Sequence, residues 1–121
     1  MAKSLSGRTI LVVEDEMLIL MMIEDMLTDQ GASVLPAATV GQALALVETT
    51  PFDAAMLDLN LGVGDSYRLA RVLAAKDVPF LFSTGSSVHD LSDEFVDRPV
   101  LRKPFTYEQL AKSLHSLLDM V

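Results

Sequence analysis

Four short apolar runs, each ending directly in charged or hydroxyl residues, constrain the fold of this chain more than any other feature. The runs are Ile10–Val13 before Glu14-Asp15-Glu16, Ala54–Leu57 before Asp58, Phe80–Phe82 before Ser83-Thr84-Gly85, and Val100–Leu101 before Arg102-Lys103-Pro104. Strands that alternate with helical segments form a parallel sheet, and their carboxyl ends open on one edge. The sequence therefore predicts an α/β fold in which acidic, hydroxyl and lysine side chains meet in one pocket.

Helical periodicity and capping residues separate these strands. The predicted helical features are apolar residues at Ile19, Met22, Ile23, Met26 and Leu27 ending at Gly31, a Thr39/Gln42 capping box opening a helix to about Val47, a helix over Tyr67 to Lys76, and a Thr106/Gln109 capping box before Leu110, Leu114 and Leu117. A short strand is expected at Ser33–Leu35. The segment Asp90–Val96 is acidic and has few apolar residues, so we expect a short, mobile helix there. Five strands and five helices result.

Composition narrows the class of protein. The chain has 121 residues, half of them hydrophobic, and no cysteine. These values favour one globular domain over residues 1–121, with its core at about 8–119 and no output domain. The net charge of −8, with scattered basic residues, argues against nucleic-acid binding. No segment has the length of a membrane span or the pattern of a secretory signal, so we expect no membrane association and a cytoplasmic location.

The predicted pocket combines three acids with one lysine and one hydroxyl. Taken alone, Glu14-Asp15-Glu16 are typical acids at a helix N-terminus, and Glu16 is assigned only that role. Together with Asp58, however, Glu14 and Asp15 would repel one another unless a cation compensates them. Mg²⁺ prefers such oxygen ligands, and Lys103 adds a point charge that binds a phosphate oxygen. A nucleophilic Asp58 could then attack a phosphoryl group, with Thr84 donating a hydrogen bond to it.

The motifs Val12-Val13-Glu14-Asp15-Glu16, Leu57-Asp58-Leu59-Asn60-Leu61, Ser83-Thr84-Gly85 and Lys103-Pro104-Phe105 resemble those of a receiver domain of two-component response regulators. The resemblance extends from Ile10 to about Leu118. It implies a flavodoxin-like, CheY-like sheet of five strands in the order 2-1-3-4-5, with helices on both faces. It also implies a protein that catalyses only its own phosphorylation and dephosphorylation, not an enzyme for outside substrates.

The resemblance assigns a role to each pocket residue. Asp58 is the implied phosphoacceptor, with Asp15 and Asp58 as direct Mg²⁺ ligands, the backbone carbonyl of Asn60 as a third ligand, and Glu14 acting largely through water. Thr84 and Lys103 are the implied phosphate-binding switch residues. The implied partner is a sensor histidine kinase or histidine phosphotransfer protein, with a downstream protein target as a further partner.

Three departures from the receiver pattern involve four positions. Val100 stands where an aromatic switch residue is usual, and Gly62 and Ser66 stand where the loop after the phosphoacceptor often has Pro and then Gly. Ser86 stands where a subgroup of alphaproteobacterial single-domain receivers often has an aromatic residue. We therefore expect ordering of the segment 85–98, rather than an aromatic switch, to report activation.

The first helix carries more apolar residues than one buried face needs. If Ile19, Met22, Ile23 and Met26 face inward, several of Met17, Leu18, Leu20 and Met21 face outward beside the acidic pocket. Scattered surface hydrophobic residues are common. Methionines nevertheless suit adaptable docking surfaces, so we expect Met17, Leu18 and Met21 to dock the helical hairpin that carries the phosphodonor histidine.

Several functions stay open at this point. A stand-alone phosphoacceptor can act as a relay intermediate, a phosphate sink, or a switch that contacts another protein. One alternative is a phosphatase of the aspartyl-phosphate type, but Asn60 occupies the position at which such enzymes commonly carry a second acid. Another alternative is a constitutive pseudo-receiver, which the intact set of Asp58, Thr84 and Lys103 disfavours.

Overall fold

Five parallel strands form one sheet in the order β2-β1-β3-β4-β5. The computed structural model describes residues 5–59, 66–85, 93–95 and 97–119. The strands are β1 (Thr9–Val13), β2 (Ser33–Ala37), β3 (Ala54–Asp58), β4 (Phe80–Thr84) and β5 (Val100–Arg102). This arrangement confirms the predicted strand order and the flavodoxin-like fold.

Four α-helices lie within the described residues, together with one 3₁₀ helix at Asp93–Phe95. The α-helices are α1 (Met17–Asp29), α2 (Val40–Thr49), α3 (Ser66–Ala75) and α4 (Tyr107–Asp119). The prediction of five helices is therefore corrected to four in this part of the chain. The expected helix at 90–96 lies largely outside the described residues, and its described part is the 3₁₀ turn.

Each face of the sheet carries its own apolar core, because successive strand residues point to opposite faces. On one face, Ile10, Val12 and Met56 pack with buried residues of α1 and α4. On the other face, Leu11 and Leu57 pack with α2, α3 and Phe95 of the 3₁₀ helix. The sheet is thus enclosed between two helical layers, and its carboxyl edge is left for polar groups.

The predicted helix boundaries hold where local chemistry determines them. The Gln42 and Gln109 backbone N–H groups donate to the Thr39 and Thr106 hydroxyls, each over 3.1 Å. The Thr106/Gln109 capping box is therefore confirmed, since Gln109 Oε1 also accepts from the Thr106 N–H over 2.8 Å. At Thr39 the hydroxyl cap is present, but Gln42 Oε1 accepts from the Ala38 N–H over 2.8 Å rather than from the Thr39 N–H. After α1, Gly31 has a positive φ of 91°, which a glycine adopts without strain.

The buried stripe of α1 differs from the prediction. Leu20, Ile23 and Leu27 are its buried residues, whereas Met22 is 40% exposed. Leu20 was expected among the outward candidates and Met22 among the inward ones. Both residue types are apolar, so composition alone did not determine the rotation of the helix. Packing against the sheet selects the stripe i, i+3, i+7 that begins at Leu20.

Candidate functional site

The carboxyl edge of the sheet brings the predicted pocket residues together. Glu14 follows β1 directly, Asp58 and Thr84 are the last residues of β3 and β4, and Lys103 follows β5. The strand register aligns these ends, since Val13 pairs with Leu57 and Asp58 pairs with Ser83. The four strand ends therefore lie at one edge, as the sequence predicts, and Glu14, Asp58 and Lys103 line one cleft there.

Lys103 lies between two buried carboxylates. Its Nζ atom donates to Oε1 of Glu14 over 2.6 Å and to Oδ2 of Asp58 over 3.3 Å. Glu14 and Asp58 are both buried, while Asp15 is exposed. A cleft of about 400 Å³ opens over these groups, lined also by Glu16 and Gly85. The cleft leaves room for a phosphoryl group beside Asp58.

The electrostatics of the cleft show a shortage of positive charge. Burial raises the pKa of Glu14; the hydrogen bond from Lys103 opposes this, and Asp58 adds to it, so the net direction is upward. Burial alone lowers the pKa of Lys103, but the hydrogen bond to Glu14 and the charge of Asp58 raise it by more. Lys103 is therefore charged at neutral pH, and one ammonium group does not fully compensate its acidic neighbours.

The acidic side chains fit a hard divalent cation. Glu14, Asp15 and Asp58 each offer an oxygen, and these oxygens lie within 4.8 Å of one another. Mg²⁺ takes oxygen ligands and usually only one or two carboxylates, retaining several waters. Asp15 and Asp58 supply that number, while Glu14 makes the shorter of the two contacts with Lys103, 2.6 Å against 3.3 Å. The donor set thus suits the magnesium that the sequence predicts.

Thr84 and Asn60 are not among the described residues that line the cleft. Thr84 is 1% exposed at the end of β4, and among the described residues it is Gly85 rather than Thr84 that lines the cleft. Asn60, the predicted carbonyl ligand, lies outside the described residues, as do Gly62 and Ser86. Most of the segment 85–98 also lies outside them, so its expected ordering stays a prediction.

The outer face of α1 exposes large apolar side chains next to the cleft. Met17, Leu18 and Met21 are 62%, 82% and 53% exposed. They begin one residue after Glu16, the N-cap of α1, which itself lines the cleft. The expected orientation of these three residues is confirmed, and together we call them the α1 patch.

The sequence profile of the response regulator receiver domain matches residues 10–115. The chain belongs to this receiver family. Two curated relatives of the receiver are each 30% identical to it: sensor protein TorS of Escherichia coli (strain K12) over 126 residues and regulatory protein VirG of Rhizobium rhizogenes over 109 residues. The matches cover 98% and 85% of this chain but 14% and 45% of the relatives. The receiver therefore spans less than half the length of either relative.

Solved structures support the same assignment of the receiver fold. The solution structure of SdrG from Sphingomonas melonis Fr1 is 48% identical, with a TM-score of 0.80, over 95% of this chain and 98% of that chain. The BeF₃-activated conformation of SdrG from Pseudomonas melonis Fr1 is 47% identical, with a TM-score of 0.79, over 97% and 98%. A CheY-like receiver from Methanospirillum hungatei JF-1 is 25% identical, with a TM-score of 0.86, over 95% and 96%.

Sequence reasoning missed two residues that border the site of this receiver. Ser66 was noted only as a departure from the family pattern, yet its buried hydroxyl donates to the Leu59 carbonyl over 3.2 Å. Tyr67 was read only as the start of a helix, but its ring contacts both β4 and the 3₁₀ helix. No spacing rule within one helix signals such contacts, because they depend on how α3 packs on the sheet.

Proposed function

We propose that this receiver accepts a phosphoryl group on Asp58 from a histidine of a sensor kinase or phosphotransfer protein, in a magnesium-dependent reaction. The observation that carries the proposal is the position of the Asp58 carboxylate. Its Oδ2 atom lies 3.3 Å from the Lys103 ammonium, in the cleft shared with Glu14 and Asp15. Family membership supports the same reaction.

The transfer step exchanges one bond to phosphorus for another. A carboxylate oxygen of Asp58 attacks phosphorus, an O–P bond forms, and the P–N bond to the donor imidazole breaks, with its electron pair remaining on nitrogen. Water later attacks the aspartyl phosphate, which releases inorganic phosphate and restores the carboxylate. Asp58 thus acts as the nucleophile in a phosphoryl transfer, for which positioning and charge stabilisation supply most of the catalysis.

Other residues of the cleft hold the transferred group. Lys103 binds a phosphoryl oxygen as a point charge once it moves from the carboxylates toward the new anion. Thr84 donates its hydroxyl to a second oxygen. Asp15 and Asp58, with the Asn60 carbonyl as a predicted third ligand, would hold Mg²⁺. The cation supplies charge stabilisation for the equatorial oxygens during transfer.

The direct test uses small phosphodonors, because these need no partner protein. We expect magnesium with acetyl phosphate or phosphoramidate to add one phosphoryl group to the wild type, read by intact mass. The Asp58→Asn variant should remain unlabelled. Asp77→Asn is a matched control, since exposed Asp77 has a φ of 58° that asparagine also tolerates. An unlabelled wild type, or labelled Asp58→Asn, would contradict the proposal.

The proposed partner surface is the α1 patch. Its apolar side chains lie beside the cleft, so a helical hairpin packed on them would place its histidine near Asp58. We expect Leu18→Asp or Met21→Asp to lower phosphoryl transfer from a histidine kinase at least tenfold while leaving acetyl phosphate labelling unchanged. Ala45→Asp, on the exposed side of α2, is the control. Equal loss of both activities would remove the docking role.

The remaining alternatives gain no support from the comparisons. The family match does not favour a phosphatase for outside substrates, and Asn60 lacks the acid that such a reaction needs. Relay, sink and protein-contact switch all use the same Asp58 chemistry. The absence of an output domain and the cytoplasmic location stay predictions. Within the described part of the chain, no helix has the length and apolar character needed to cross a membrane.

A further inference from the structure

The first residue of α3 is tied to the backbone next to Asp58. The buried hydroxyl of Ser66 donates to the Leu59 carbonyl over 3.2 Å, and Leu59 directly follows Asp58. The Leu59 N–H in turn donates to the Ser83 carbonyl on β4 over 2.9 Å. The start of α3 and the ends of β3 and β4 are therefore joined by consecutive hydrogen bonds.

The next residue, Tyr67, contacts β4 and the 3₁₀ helix. Its ring packs edge-on against Phe82, with centroids 6.0 Å apart and an interplanar angle of 71°. Phe82 lies two residues before Thr84, so both side chains point to the same face of β4. The Tyr67 ring also stacks on Phe95 of the 3₁₀ helix, at 5.7 Å and 5°. Both geometries are ones that aromatic pairs prefer.

One helical turn later, Arg71 holds the residue adjacent to Phe95. Its Nε atom lies 3.0 and 3.1 Å from the two carboxylate oxygens of Glu94. Residues four apart share a helix face, so Tyr67 and Arg71 together contact two consecutive residues of the 3₁₀ helix, Phe95 and Glu94. Both charged side chains are about half exposed. Such an exposed pair adds little to stability but restricts where Phe95 lies.

We propose that Tyr67 is a positioning residue for the phosphoryl group at Asp58. Through its ring contact with Phe82 it fixes the end of β4 that carries Thr84. The Arg71–Glu94 pair keeps Phe95 against its ring. This inference rests on the proposed function.

The predicted magnesium ligands and Thr84 depend differently on this contact. The predicted ligands Asp15 and Asp58 lie at the ends of β1 and β3, and the Ser66–Leu59 hydrogen bond beside Asp58 is kept when only the Tyr67 ring is removed. Thr84, by contrast, shares a strand face with Phe82, which the Tyr67 ring contacts. Loss of the Tyr67 ring should therefore weaken binding of a phosphoryl analogue much more than binding of Mg²⁺. General damage to the scaffold would weaken both.

The experiment measures the two affinities separately in the full chain. Calorimetry gives the Mg²⁺ affinity first, and beryllofluoride is then titrated at saturating Mg²⁺. We expect Tyr67→Leu to lower beryllofluoride affinity about five- to tenfold, since two aromatic contacts are lost, with Mg²⁺ affinity within twofold of wild type. Tyr67→Phe keeps the ring and should restore wild-type binding. Arg71→Gln should lower beryllofluoride affinity about two- to threefold.

Three outcomes overturn the inference: unchanged beryllofluoride affinity in Tyr67→Leu, an equal loss of both affinities, or a Tyr67→Phe variant as weak as Tyr67→Leu. If thermal unfolding shows that Tyr67→Leu is not folded, the surface variant Arg71→Gln is used instead. Wild-type beryllofluoride affinity in Arg71→Gln would then contradict the inference. A wild type that binds no beryllofluoride refutes the proposed function instead. The two failures are therefore distinguishable.

Discussion

The two edges of the sheet treat polar groups in opposite ways. At the amino edge, the Thr9 N–H donates to Asp53 Oδ2 over 2.7 Å, and Leu5 is completely buried in the core. At the carboxyl edge, two carboxylates are buried against a single lysine, Lys103. At the amino edge one carboxylate, Asp53, has both a backbone N–H and the Arg8 guanidinium (3.8 Å) as partners, whereas the carboxyl edge buries two carboxylates against one lysine. We conclude that the first edge maintains the fold and the second is arranged for chemistry.

A groove at the amino edge sharpens the contrast. Its volume is about 540 Å³, larger than that of the cleft over Asp58. Val78, Pro79 and Pro99 line it, and the Arg98 guanidinium lies 4.2 Å from the centre of the Phe80 ring. A cation–π contact satisfies this charge locally. The smaller cleft, in which Glu14 and Asp58 are buried against one lysine, is the one arranged for chemistry.

The largest effect on stability is expected where the charge balance is broken. Lys103→Met leaves Glu14 and Asp58 buried without their ammonium partner, so we expect the metal-free protein to lose about 4 kcal/mol at neutral pH. Urea unfolding measures this loss. Adding Glu14→Gln to Lys103→Met should restore most of the stability, because one of the two unpaired charges is removed. Additive losses in the double variant would show that the two residues do not interact.

A slightly smaller effect tests the amino edge. Leu5 is fully buried, and its N–H donates to the Gln30 carbonyl over 3.2 Å. Truncation by Leu5→Ala leaves a cavity, so we expect a loss of about 3 kcal/mol in the free energy of unfolding. Labelling of Asp58 by acetyl phosphate should be retained in the folded fraction.

Leu18→Ala provides the matched control for Leu5→Ala. Leu18 is 82% exposed, so the same truncation should change stability by less than about 0.5 kcal/mol. Similar losses in the two variants would contradict the assignment of Leu5 to the core.

The site at the carboxyl edge was more predictable than the packing around it. Strand alternation and terminal polar residues are local patterns, so the positions of Glu14, Asp58 and Lys103 followed from the sequence together with the rule that parallel strand ends share an edge. The inward face of α1 was less determined, because every position from Met17 to Ile23 is apolar and periodicity gives little contrast. Leu20 instead of Met22 is buried as a result.

Contacts between distant segments explain the other differences. The core was expected to begin at about residue 8, yet Leu5 is buried. The sequence did not indicate this, because a single leucine before a turn gives no periodic signal. The Tyr67–Phe95 stack joins two elements separated by the whole of β4. Such contacts are decided by tertiary packing, which a pattern within one element does not encode.

The smallest expected effect is the pH dependence of stability, which tests the carboxyl edge without a mutation in the core. The pKa of Glu14 is raised in the folded protein, chiefly by burial. Between its ordinary value of 4.5 and the raised value, the folded state therefore binds more protons than the unfolded state. Stability of the metal-free protein should then fall as pH rises through that window, by at most about 1.4 kcal/mol per pH unit.

Magnesium and one substitution test the origin of this slope. Glu14→Gln removes the titrating group, so urea midpoints measured across the window should become nearly independent of pH. In wild type, Mg²⁺ competes with the proton for the carboxylate cluster, so the stabilisation that Mg²⁺ gives should grow as pH rises. Both results would assign the pH-dependent loss of stability to the carboxylates at the carboxyl edge. A slope that persists in Glu14→Gln would instead assign it to acids elsewhere, and the contrast between the two edges would lose its electrostatic basis.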